Sequence, residues 1–363
     1  MKQSIFCIVL LCVVAGYSSD LTFDSRVTAS GGSGGGSGSG GTTSTQGVTW
    51  LGTLGGSTSQ AYGASSTGVV VIGYASNSSG QYRAFRRTAS TGMKDLGDFG
   101  YAYAAAYGVS ADGSIVVGEA WNASFQQRAF RWTASTGLQD LGTLGGPYAV
   151  AADVSADGVV IVGQAWTPNG EEHPFRWDAT TGMQDLAGGL DGGAYGVSSN
   201  GSVIVGAIYD TNGQPHAFRW STAGMQDLGT LGGPSSEAFA TSADGSVVVG
   251  RSATADGRTH AFRWTAAGGM KDLGSLGGIS SEAYAVSADG SVVVGDAQDS
   301  TGATRAFRWT ASTAIQNLTA IYAGSIGSGS YLVYANAISA DGRHVVGYGY
   351  NRRTARYEAY STN

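Results

Sequence analysis

Three histidines, His173, His216 and His260, each stand directly before an Ala/Pro-Phe-Arg-Trp block and follow one another at intervals of 43 and 44 residues. Histidine is the commonest metal ligand, so three in register invite a metal-site reading. Ligands must converge to about 2 Å from the ion, however, and equivalent positions in separate repeats, on third strands about 10 Å out from the innermost ones, do not converge. Arg83, Arg128 and Arg305 occupy the same place elsewhere in the chain. The role shared by Arg and His is hydrogen-bond donation, so neither metal nor cofactor is expected. Zinc-ligand spacing, a phosphate loop and a nucleophile elbow are absent from the sequence. The recurring Ser-Ala-Asp-Gly reads as turn chemistry, because it lacks the alternating oxygen ligands of a calcium loop.

A second constellation is aromatic. Three residues after a recurring Gly stand Ser76, Trp121, Trp166, Tyr209, Ala253, Gln298 and Tyr350. Three consecutive units thus place Trp121, Trp166 and Tyr209 beside Asn122, Gln126, Asn169, Asp210 and Asn212. Flat rings next to amides and a carboxylate suit a sugar ring or an amphipathic protein surface. These eight are the candidate ligand-binding residues, with packing beneath their own loops as the alternative. The functional expectation is a non-enzymatic binding or adhesion module that recognises a glycan or surface protein through the variable loops of one face. A polysaccharide-acting glycosidase or lyase at a central channel is the enzymatic alternative, and a purely structural display domain is a third. An enzyme needs acids converging on the axis, whereas the innermost segments (61–65, 106–110, 194–198 and 283–287) carry Ala, Gly, Val, Ser and Tyr. Glu237 and Glu282 are the best remaining acids.

The elements that would position these residues come from a repeat. Four landmarks recur in order: an Ala/Ser-rich piece ending in a turn such as Asp112-Gly113, a β-branched run closed by Gly, the Ala-Phe-Arg-Trp block, and Asp-Leu-Gly followed by Thr/Ser-Leu-Gly-Gly. The closing glycines are Gly73, Gly118, Gly163, Gly206, Gly250, Gly295 and Gly347, spaced 45, 45, 43, 44, 45 and 52 apart. Each unit holds four short β-rich segments separated by turn residues, and none has a helical period. Four hairpin-linked strands in about 45 residues is the arithmetic of a β-propeller blade. The expected fold is all-β, a seven-bladed propeller of four-stranded antiparallel blades, monomeric; a parallel β-helix is the competing solenoid. The chain ends on a third strand, while Val48-Thr49-Trp50 opens the repeats as a fourth strand with no blade before it. The N-terminal strand is therefore expected to complete the last blade and close the ring.

Six units place an Arg in the third strand and an Asp or Asn in the fourth: Arg86 with Asp95, Arg131 with Asp140, Arg176 with Asp185, Arg219 with Asp227, Arg263 with Asp272, and Arg308 with Asn317. In the seventh, Ser361 and Trp50 replace both at once. The joint loss predicts a structural Arg–carboxylate pair inside each blade.

The multiply repeated Ala-Phe-Arg-Trp and Asp-Leu-Gly-Thr-Leu-Gly-Gly blocks, with His-Ala-Phe at 216–218 and 260–262, resemble the bacterial extracellular repeat known as the HAF family. The resemblance runs from Trp50 to Tyr360 and implies a secreted or surface protein with no established catalytic activity. A departure is that no barrel-forming domain follows Asn363, as it would in an autotransporter.

Composition sets the remaining bounds. The chain has 363 residues, 60 of them Gly, 13% charged and with a formal net charge of -6. With 8 Trp, 18 Tyr and 11 Phe, it is too aromatic for disorder, and it lacks the strict Gly period of collagen. The acidic balance argues against a nucleic-acid or other polyanion partner, which would need a basic face. Residues 1–18 read as a secretory signal peptide, with an apolar run too short to span a bilayer, and 19–47 as a Gly/Ser/Thr-rich flexible tether before the repeats at 48–363. Both cysteines, Cys7 and Cys12, lie in the signal segment, so the exported body would hold no disulfide.

Overall fold

Alternation along each strand decides which residues face the core. The computed structural model describes residues 47–363, so the signal-peptide reading and nearly all of the tether lie outside the described residues. In the first unit the innermost strand, Gly55–Ala64, buries Ser59, Ala61 and Gly63 in strict alternation. Its neighbour, Val71–Asn77, is buried over its first six residues, as expected of a strand covered on both faces. The third strand, Tyr82–Thr88, buries Ala84 and Phe85, and the outer strand, Gly92–Asp95, is largely exposed. All three pairings are antiparallel.

This four-stranded unit recurs seven times, with innermost strands at Gly55–Ala64, Gly100–Val109, Ala149–Val154, Gly192–Val197, Gly232–Thr241, Gly277–Val286 and Tyr331–Ile338. The seventh unit takes its outer strand from the other end of the repeats: Val48, Thr49 and Trp50 pair with Thr362, Ser361 and Tyr360. A short helix, Leu318–Ile321, lies in the longer connection into this unit and accounts for the 52-residue interval. Among the described residues no helix is long and apolar enough to cross a membrane.

The core lies between units. Phe85, Phe130, Phe175, Phe218, Phe262, Phe307 and Tyr360 are fully buried, one per unit. Phe130, for example, packs with Val70 and Ile72 of the preceding unit. Burying such a side chain is worth about 1.5–3 kcal/mol, which explains why the Ala-Phe block recurs. The closing glycine is required by space: a Cβ on Gly250 would sit 1.9 Å from the carbonyl oxygen of Glu237.

Hydrogen bonds link the units head to tail. The backbone N–H of Ser66 donates to Ala111 O, Ala111 to Ala156, Ala156 to Ser199, Ser199 to Ala243, Ala243 to Ala288 and Ala288 to Ala340; Ala340 then donates to Ser66 O at 3.0 Å. A second type of link pins neighbouring units through serine: Ser236 Oγ accepts from Ala217 N and Ser281 Oγ from Ala261 N. Ser59 Oγ accepts from Ala359 N in the same way, between the first unit and the last.

The Asp-Gly turns behave as expected. Asp112 accepts from Ser110 Oγ at 2.6 Å and from Ser114 N at 2.9 Å, which holds its carboxyl down at about 2. The expected Arg–Asp pairs are corrected by strand register. Asp95 lies opposite Phe85, and Arg86 opposite Lys94, so Arg86 and Asp95 point to opposite faces of the sheet. The partner of each Asp is instead the residue three positions before that Arg. Arg83 binds Asp95 at 3.0 Å and also Asp98, Arg128 binds Asp140 at 2.8 Å, and His173, His216 and His260 bind Asp185, Asp227 and Asp272 at 2.7, 3.0 and 2.8 Å. Arg86, Arg219 and Arg263 reach across to the next unit and donate to the turn carbonyls of Gly113, Gly245 and Gly290. Arg176 is drawn to Asp178; no ion pair joins Arg131 to Asp140 among the described residues.

Candidate functional site

Each innermost strand slips its ladder by one residue at an equivalent step of the repeat, between Ala61 and Gly63, Ala106 and Gly108, Ala151 and Asp153, Ala194 and Gly196, Ala238 and Ala240, Ala283 and Ala285, and Ala335 and Ala337. The slipped residues are Tyr62, Tyr107, Ala152, Tyr195, Phe239, Tyr284 and Asn336. A bulge re-aims its side chain, so five of seven units present an aromatic ring at one level. The rings meet across units: Tyr62 and Tyr107 at 5.3 Å, Tyr195 and Phe239 at 6.1 Å, Phe239 and Tyr284 at 5.8 Å. Ala152 and Asn336 separate the two arcs, and Asn336 ties its amide to Ala61 O at 2.8 Å.

A polar tier adjoins this collar. It is formed by the residue two before each bulge and by its cross-strand partner, which directly follows the closing glycine: Gln60 with Tyr74, Ala105 with Glu119, Val150 with Gln164, Gly193 with Ala207, Glu237 with Arg251, Glu282 with Asp296 and Tyr334 with Tyr348. Arg251 donates Nη2 to Glu237 Oε1 at 2.6 Å and Nη1 to Glu282 Oε1 at 2.9 Å, with its guanidinium 5.6 Å from the Phe239 ring centre. Tyr284 OH donates to Asp296 at 2.7 Å. Glu119 accepts from Tyr107 OH at 2.7 Å and from Gln127 Nε2.

Burial governs the electrostatics here. Desolvation raises the Glu119 carboxyl to about 7 against the pull of its tyrosine bonds. Desolvation likewise lifts Asp296 to about 7, with Glu282 nearby adding to it, and lifts Glu172, which accepts from Trp166 and Gln164, to about 7. Glu237 is raised as well, mainly by burial and despite Arg251. Tyr107, Tyr195 and Tyr284 are pushed well above their ordinary range, first by burial and then by the carboxylates Glu119, Glu237 and Asp296. Burial thus favours the uncharged forms of these groups, and Arg251 is the cation resident in the tier, held between Glu237 and Glu282.

The loop residues singled out from sequence sit elsewhere and are largely occupied. Trp121 packs against Tyr101 at 6.0 Å and Tyr103 at 6.2 Å, and Trp166 against Tyr148 at 5.0 Å. Asn122 closes its own turn, accepting from Ser124 N and Gln126 N and donating to Gln126 Oε1. Asp210 does the same with Asn212 N and Gln214 N. Tyr209 is half-buried, and Asn169 is exposed at a turn tip. The two acids that stood out in the sequence, Glu237 and Glu282, do come together, through Arg251. Glu119, Glu172, Arg251 and Asp296 did not stand out there. The signal for three of them was a charged residue immediately after the closing glycine.

No protein-family model matches this chain, and no curated protein matches it. Among solved structures it is similar to TolB from Acinetobacter baumannii at 15% identity and a TM-score of 0.50, covering 69% of this chain and 63% of TolB. It is similar to the β-propeller domain of the Trilobed protease from Pyrococcus furiosus, described as having an open velcro topology, at 11% identity and a TM-score of 0.54, covering 81% of this chain and 89% of that domain. A prolyl endopeptidase matches at 11% identity and a TM-score of 0.56, over 88% of this chain and half (50%) of its own length. At such identities the likeness concerns the fold, which is all-β and of β-propeller type. The expected adhesion module is overturned: the propellers it is similar to are TolB and hydrolases, and the loop side chains meant to read a glycan or surface protein spend most of their polar groups inside their own turns. These similarities do not favour the polysaccharide-acting enzyme either.

Proposed function

We propose that the chain is an exported, non-catalytic β-propeller of seven blades, closed by the N-terminal strand, whose aromatic collar binds a small organic cation. Closure is supported by the circuit of seven backbone bonds that returns from Ala340 to Ser66, and by the Ser59–Ala359 pin, which repeats the bond used between internal units. Export rests on the N-terminal sequence and on the resemblance to the HAF repeat, both readings of the sequence.

The observation that carries the ligand class is the run of half-buried aromatic rings at one level of the innermost strands, one of which, Phe239, already lies 5.6 Å from a guanidinium, that of Arg251. Aromatic faces attract cations through the ring quadrupole, more strongly when water is excluded. A non-catalytic role is supported by the engagement of the acids: Glu237 and Glu282 by Arg251, Asp296 by Tyr284, Glu119 by Tyr107 and Gln127. The test is calorimetric titration of the full chain with choline and with its neutral isostere 3,3-dimethyl-1-butanol. Choline alone should bind, and Tyr195→Leu should weaken it roughly tenfold. Equal behaviour of the two probes contradicts the reading.

A further inference from the structure

The acidic composition speaks against an anionic partner for the chain as a whole, but its charge is unevenly distributed. In the seventh unit the connection between the second and third strands reads Asn351-Arg352-Arg353-Thr354-Ala355-Arg356. The same connection in the six other units holds one basic residue, Arg258, which is paired with Asp256 at 3.2 Å. Three of the chain's 20 basic residues therefore fall in one loop. Arg352, Arg353 and Arg356 are all exposed, and none enters an ion pair among the described residues. Arg356 donates to Gly56 O at 3.1 Å, which sets the base of the loop.

A tyrosine stack stands at the base of this hairpin, where Tyr350 pairs with Tyr357. Tyr331 stacks on Tyr350 at 5.4 Å and bonds its hydroxyl to that of Tyr357 at 3.0 Å; Tyr357 is 42% exposed. Arg305 covers the Tyr331 ring at 5.0 Å and is balanced by Asp299 at 3.5 Å. The nearby Glu358 is buried and held by Asn351 Nδ2, and no ion pair joins it to these arginines among the described residues.

We propose that this loop and its tyrosines form a docking surface for an acidic peptide segment of a partner protein. Charge complementarity selects that partner. Guanidinium forks take carboxylates through two N–H groups at once, and an exposed tyrosine adds apolar area for the residues between them. A peptide fits better than a polynucleotide because the basic patch is confined to one hairpin turn, whose ends Asn351 and Arg356 pair with each other, while the chain as a whole is acidic and repels a long polyanion.

The test is fluorescence anisotropy with the full chain and three labelled probes: octaglutamate, octaglutamine and a (dT)12 oligonucleotide. Octaglutamate should bind, lose affinity in 0.5 M NaCl, and bind about tenfold more weakly to the Arg352→Gln/Arg353→Gln double variant. Arg258→Gln should leave it unchanged, and circular dichroism of both variants should match the parent. Three results overturn the proposal: octaglutamate binding no tighter than octaglutamine, equal binding by the double variant, or (dT)12 binding as tightly as octaglutamate.

Discussion

Replacing Glu119 by Gln probes the burial of the polar tier directly. Glu119 is 2% exposed and its carboxyl is raised from 4.5 to about 7 by burial, so the folded chain prefers the protonated form. The sign follows from linkage. Below pH 4.5 the group is protonated folded and unfolded and costs nothing; as pH rises toward 7 the unfolded chain ionises first and stability is lost. Above about pH 7 the loss saturates at roughly 3 kcal/mol for a shift of this size. Glu119→Gln removes the titration while keeping an acceptor for Tyr107 and a group beside Gln127. A constant offset from the new amide is expected, so the readout is a slope. Denaturant unfolding at pH 5, 6, 7 and 8 should show the variant gaining on the parent by roughly 2.5 kcal/mol across that range, the first part of the loss having occurred below pH 5. A difference that stays flat with pH would refute the claim that this carboxyl is held near neutrality.

Other outcomes follow from the repeat itself. Ser281→Ala and Ser59→Ala each strand a buried backbone N–H, of Ala261 and Ala359, and should each cost about 1–3 kcal/mol by denaturant unfolding; a much smaller cost for Ser59 would argue against ring closure. Phe125 holds φ +59 and is 60% exposed at a turn position where five units have Gly. Phe125→Gly should therefore raise stability by up to about 1 kcal/mol, and a loss in the same unfolding experiment would show that its contact with Tyr101 outweighs the strain. Gly250→Ala, with no room for a Cβ, should fail to give soluble folded protein on expression, whereas Gly257→Ala, which meets open space and offends only a positive φ, should still fold. Normal yield and circular dichroism of Gly250→Ala would contradict the packing described.

Much of the fold was legible because the repeat is written in turn and core residues. Asp112-Gly113 made its turn and Phe130 its core position, and Val48–Trp50 pairs with the end of the last unit. The true partner of Asp95 was not legible, because co-occurrence in a repeat says nothing about which face of a strand a residue takes. Only register, Phe85 opposite Asp95, shows that Arg83 is that partner rather than Arg86. The collar was hidden for a related reason: a one-residue bulge at Tyr62, Tyr107 and their counterparts carries no composition of its own. Glu119, Arg251 and Asp296 looked like ordinary strand residues until the second strand was laid against the first.

Whether the aromatic collar holds an organic cation is tested most directly with a crystal of the full chain soaked in (2-bromoethyl)trimethylammonium, the bromine being located by anomalous scattering. Cation binding at the collar predicts a peak within about 6 Å of the rings of Tyr195, Phe239 or Tyr284 or of Tyr62 and Tyr107. A peak confined to the outer loops, or none at the collar, would contradict it.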